Sequence, residues 1–63
     1  MPDITWDEPF CGEAANCFRL GIDTDGNAYV AVNGAEDHYI TDSRDALRRM
    51  ILDIKGGKAD HLL

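Results

Sequence analysis

Cys17-Phe18-Arg19-Leu20-Gly21-Ile22-Asp23-Thr24-Asp25-Gly26-Asn27-Ala28-Tyr29-Val30-Ala31-Val32 reads as two strands around a turn. Its first part alternates, with Phe18, Leu20 and Ile22 on one face of an extended chain, as a half-buried strand requires. Asp25-Gly26 then interrupts the run. Glycine accepts the positive φ of a tight turn, so Asp-Gly between apolar runs predicts a β-hairpin. Ala28–Val32 is the returning strand, with Val30 and Val32 on one side and Tyr29 and Ala31 on the other.

Towards the C-terminus, Asn33-Gly34 predicts a second turn and His38-Tyr39-Ile40 a short third strand. Thr41-Asp42-Ser43 supplies N-cap candidates, with Ser43 or Asp42 favoured. Leu47, Met50, Ile51 and Ile54 then recur at i, i+3, i+4 and i+7, a single helical stripe. Asp45 in the first turn and Lys55 in the last suit the helix dipole, and Asp45 and Arg49 stand as an i,i+4 pair. Gly56-Gly57 stops the helix. Towards the N-terminus, residues 1–16 read as mostly irregular, with an extended piece at Ile4–Trp6. Trp6 and Phe10 are expected to fold back onto the core, because exposed large rings are costly in a small domain. The expectation is one α+β domain over 1–63: a β-hairpin or meander over 17–41, a helix over 43–56 and a tail over 57–63. Its small antiparallel sheet, of two to three strands, is packed by one C-terminal helix.

The chain has 63 residues, six Lys+Arg against twelve Asp+Glu, a net charge of −6 and 44% hydrophobic residues. That apolar share excludes a disordered acidic tail. No apolar run approaches the roughly 20 residues of a membrane span. The acidic balance argues against direct nucleic-acid binding, which depends on Lys and Arg neutralising phosphates. Before residue 44 the acids Asp3, Asp7, Glu8, Glu13, Asp23, Asp25, Glu36, Asp37 and Asp42 face Arg19 alone. The bases Arg44, Arg48, Arg49, Lys55 and Lys58 follow. The acidic part suits a basic partner, or simply keeps a small protein solvated. A chain this short buries only about 60% of its unfolded surface, so a disulfide, a metal or a partner would add needed stability.

Met1 to Glu8 shows neither the basic nor the apolar region of a secretory leader. The expectation is therefore the cytoplasm, with Cys11 and Cys17 reduced. A Cys11–Cys17 disulfide is possible in geometry but disfavoured in that compartment. Cys11, Cys17, His38 and His61 could form a Cys₂His₂ zinc set, but the five residues between the cysteines exceed the usual knuckle spacing. Asp23-x-Asp25-x-Asn27 opens like a calcium loop, yet Ala28 stands where that loop needs glycine and Gly34 where it needs Glu. Met1-Pro2 suggests an N-terminal proline base, but Asp3, Asp7, Glu8 and Pro9 break the strand such an enzyme needs. No catalytic set emerges, and a non-enzymatic protein with no cofactor and no metal is expected. Leu52 lies off the helical stripe. Either the sheet wraps the helix widely, or Leu52 joins Tyr29, Tyr39, Leu62 and Leu63 in an exposed apolar patch. The candidate partner-binding residues are Tyr29, Glu36, Asp37, Tyr39 and Leu52.

Several of these residues fall into a family pattern. Trp6, Phe10-Cys11-Gly12, Asn16-Cys17-Phe18-Arg19-Leu20, Tyr29-Val30-Ala31-Val32, the helix start at Ser43–Leu47 and its end at Ile54-Lys55-Gly56-Gly57 follow in order at compatible spacing. In this the chain resembles the small acidic actinomycete proteins of domain-of-unknown-function family three-nine-seven. It departs from them where Asn33-Gly34-Ala35 replaces an Arg-Asp-Ser triplet and Leu47 replaces a helix Trp. The resemblance implies a protein partner, an Xre-type (WhiJ-like) helix-turn-helix regulator, and in some cases a toxin–antitoxin pairing. It implies no catalytic residue. The leading expectation is a small interaction protein that modulates such a regulator. The alternatives are a zinc- or thiol-dependent module built on Cys11 and Cys17, or the toxin half of a pair.

Overall fold

The computed structural model describes residues 3–11 and 17–63. Met1-Pro2 and residues 12–16, with Asn16 of the Asn-Cys strand, lie outside them. Strands β1 (Thr5–Trp6), β2 (Phe18–Ile22), β3 (Asn27–Val32) and β4 (Ile40–Ser43) form one antiparallel sheet in the order β1-β2-β3-β4. Helix α1 (Arg44–Lys55) follows, and a 3₁₀ turn spans Asp60–Leu62. The sheet has four strands rather than two or three, because the Ile4–Trp6 piece adds an edge: Trp6 pairs with Gly21. Beyond it, the Phe10 N–H donates to the Phe18 carbonyl at 2.8 Å.

The central hairpin forms as its turn chemistry requires, with Gly26 at φ 87°. The next strand begins later than His38. Ala35 to His38 close a turn, with the His38 N–H on the Ala35 carbonyl, so the strand runs over Ile40–Ser43 and leads directly into the helix. Ser43 both ends β4 and caps α1, its hydroxyl accepting the Ala46 N–H at 3.1 Å. The Arg44 N–H donates to the Gly26 carbonyl, which fastens the helix entry to the hairpin turn. Arg49 pairs with Asp53 at 3.3 Å, also an i,i+4 spacing, rather than with Asp45, and Lys58 lies 3.6 Å from the other oxygen of Asp53.

Register divides the side chains between two faces. Trp6, Gly21, Tyr29 and Thr41 lie in one row, and Arg19 and Ala31 share their face. This face is closed by its own aromatic rings. Tyr39 meets Tyr29 edge-on at 4.9 Å, and Trp6 lies 6.3 Å from Tyr29 and 6.5 Å from Tyr39. Tyr29 and Ala31 are buried here. Helix α1 lies over the opposite face, where Ala28, Val30 and Ile40 meet Leu47 and Met50 along a groove. The helix contributes no buried residue. Phe10 is also exposed instead of folding back, because its strand segment ends at the open edge of the sheet. No helix among the described residues is long and apolar enough to cross a membrane.

Gly21 is what lets Trp6 lie on the sheet. A Cβ there would come within 2.8 Å of Trp6 Cε3 and 2.9 Å of Ile4 Cγ2. Both neighbours belong to ring or branched side chains with little freedom to withdraw. Gly21→Ala is therefore expected to lower stability by about 1–3 kcal/mol. Thermal melting followed by Trp6 fluorescence checks this; an unchanged midpoint would mean that the edge strand contributes little.

Cys11 and Cys17 are joined in a disulfide, with Cα atoms 4.9 Å apart, which corrects the expectation of reduced thiols. The physical reason is the pairing at Phe10–Phe18, which sets the next two residues opposite each other at bridging distance.

Candidate protein-docking surface

Arg19 organises the most polar region of the sheet. From β2 its Nε donates to the Asp7 carbonyl and its Nη1 to Glu36 Oε2, each at 2.7 Å. One guanidinium thus ties the segment carrying Asp7 and Glu8 to the loop carrying Glu36 and Asp37. The loop takes this path because Gly34 turns at φ 91° and its N–H donates to Glu36 Oε1 at 2.8 Å. The Glu36 carboxyl is held below its usual range, first by the Arg19 hydrogen bond and then by backbone N–H donors. Arg19 is spent in this clamp. Among the described residues no cation lies within ion-pair distance of Asp7 or Glu8, and both are exposed. Asp37 is exposed as well, with His38 Nε2 3.5 Å from its Oδ2.

The candidate partner-binding residues fall into separate places. Glu36 and Asp37 stand together in the clamp loop. Tyr29 is 4% exposed, so it is a core residue and offers no contact surface; its ring faces Trp6 and Tyr39 because it occupies the central row. Tyr39 is half-buried against it. Leu52 is 50% exposed, on the helix and across the sheet from both tyrosines. The single patch of Leu52 with Tyr29 and Tyr39 is therefore not formed. Sequence reasoning missed the joining role of Arg19 and the placement of Asp7 and Glu8. Its available signal was that Arg19 is the sole base in an otherwise acidic stretch.

Asp23 is the other concentration of polar groups. Its Oδ1 accepts the N–H groups of Asp25 (2.8 Å) and Asn27 (3.0 Å). Its Oδ2 accepts Asn27 Nδ2 (3.0 Å) and the Tyr29 hydroxyl (2.6 Å). Four donors saturate both oxygens and hold the carboxyl far below its usual range, the Tyr29 hydrogen bond being the largest cause. The same bond raises the Tyr29 phenol above its ordinary value. A carboxylate whose lone pairs are taken by its own turn is a structural acceptor and leaves no ligand position, so the hairpin accounts for Asp23-x-Asp25-x-Asn27. The zinc set considered from the sequence is not assembled either. Its cysteines are bonded to each other, and among the described residues no three His, Cys, Asp or Glu side chains gather.

No family model matches the sequence, and no curated protein and no solved structure matches it.

Proposed function

We propose that this chain is a non-enzymatic interaction protein that binds an Xre-type helix-turn-helix regulator and changes its DNA occupancy. The observation that carries the reading is the Arg19 clamp, which bonds the Asp7 carbonyl and the Glu36 carboxylate and so joins the segment carrying Asp7 and Glu8 to the loop carrying Glu36 and Asp37. An acidic surface of this kind meets the basic, DNA-facing side of a regulator and competes with phosphates for it. The resemblance to the actinomycete family supplies the class of partner.

The test is a titration of the purified chain against a purified Xre-type helix-turn-helix regulator, read by the anisotropy of a labelled operator. Binding is expected at micromolar concentration in low salt, with affinity falling as ionic strength rises. Replacing both Glu8 and Asp37 by their amides should weaken it by about three- to tenfold, an effect that salt erases. No binding under those conditions overturns the proposal. Expression without the regulator separates it from a toxin–antitoxin pairing: unimpaired growth supports a modulator.

Such a partner places the protein in the cytoplasm, where thiols are kept reduced. The structure, in contrast, closes the Cys11–Cys17 bridge. The titration is therefore run with and without reductant, and alkylation of the cysteines in intact cells reports which form meets the regulator.

A further inference from the structure

The helix side of the sheet is under-covered for a chain of this size. A compact 7.0 kDa protein exposes about 4,000 Å². This chain exposes 5189 Å². Its radius of gyration, 12.4 Å, also exceeds the about 11 Å expected for its length. Phe10, Leu62 and Leu63 account for part of the exposed apolar surface, and the helix side for much of the rest. Ile51, Leu52 and Ile54 of α1 remain exposed, and on the same side of the molecule so do Phe18, Val32 and Ile40 of the sheet. A stable dimer removes about 800 Å² per partner from water, less than the about 1,100 Å² by which the whole chain exceeds the compact expectation.

Charge selects the occupant and its orientation. Helix α1 carries Arg44, Arg48, Arg49 and Lys55 against Asp45 and Asp53, so it is basic within a chain of net charge −6. A basic partner is repelled from it. Pairing α1 with α1 would bring two basic helices together. Laying α1 over the open half of another copy's sheet instead brings a basic helix to an acidic body. Leu47 is a ridge between two grooves, one of about 540 Å³ towards Ile22 and Leu52 and one of about 260 Å³ towards Ile40, which leaves room for apolar side chains from outside. A two-fold axis makes this exchange reciprocal and closed.

We infer that the protein is a homodimer in which α1 of each copy covers the open half of the other copy's sheet, around Phe18 and Val32. Sedimentation equilibrium of the full chain, from about 1 to about 100 μM, tests it. The expected result is twice the 7.0 kDa chain mass, with or without reductant. Leu52→Lys on the helix and Phe18→Lys on the sheet should each raise the dissociation constant at least about tenfold. The near-ultraviolet circular dichroism of Trp6, Tyr29 and Tyr39, packed on the opposite face, should stay unchanged and so report that both variants fold. A chain that stays at 7.0 kDa throughout overturns the inference. So does a dimer weakened by Leu52→Lys but not by Phe18→Lys, which would mean helix-to-helix pairing, or a mass that climbs past the dimer. The measurement needs no regulator, so its failure leaves the proposed function standing.

Discussion

Asp23→Ala is expected to raise the unfolded fraction by at least about tenfold, the largest effect of any single side-chain replacement in the hairpin. Removing the carboxylate leaves the N–H groups of Asp25 and Asn27, the Asn27 amide and the buried Tyr29 hydroxyl without their acceptor. Unmet donors cost more than the bonds were worth, because water no longer reaches those that stay buried. Asp23→Asn keeps the shape and removes the charge, so it should cost less. The two variants also differ in how stability depends on pH.

The sign of that dependence follows from the shifts. The folded pKa of Asp23 is depressed, so its contribution is present above about pH 4, the unfolded value, and is lost as pH falls towards the folded one. Glu36 acts in the same direction through Arg19. The Tyr29 phenol is raised, so its contribution is present below about pH 10 and is lost as pH rises through the folded value. Denaturant unfolding across pH should therefore give a plateau with an acid and an alkaline limb. Asp23→Asn should flatten the acid limb to what Glu36 supplies. A wild-type chain whose stability does not change between about pH 5 and about pH 2 would contradict the hydrogen-bond account of Asp23.

Reduction of the Cys11–Cys17 bridge is the second large expected effect. The bridge joins residues six apart. Closing so short a loop removes about 2 kcal/mol of unfolded-state entropy. A domain of this size has only about 3–5 kcal/mol in all, so the loss is a large share. The melting midpoint should fall by about 10 °C in reductant, and Cys17→Ser should lower it by at least as much. Cys17 is also buried, so the serine variant loses packing besides the cross-link. Equal midpoints for oxidised and reduced protein would show that the Phe10–Phe18 pairing holds the edge unaided.

The hairpin and the helix were legible because their signals are local. Gly26 takes the left-handed turn that Asp25-Gly26 announces, and Ser43 and Gly56 bound the helix where the cap residues stand. The third strand was misplaced by two residues because Tyr39 is a good strand former. Its ring is instead used at the edge of Tyr29, and the turn through His38 delays the extended chain until Ile40. The docking residues were only partly legible. Acidity was visible, but Arg19 and Glu36 stand 17 positions apart and nothing local announces their bond.

The hairpin, the terminal helix, their order and the uneven charge follow from the chain alone, since each depends on neighbours within a few residues along it. Which face of the sheet becomes the core is settled by contacts in three dimensions. Strand alternation separates two faces, and both are apolar here: Phe18, Leu20 and Ile22 on one, Tyr29 and Ala31 on the other. The choice fell to long-range contacts, the seating of Trp6 over Gly21 and the Asp23–Tyr29 bond, which close the face away from the helix. That is also why Tyr29 belongs to the interior and Leu52 stays open to solvent.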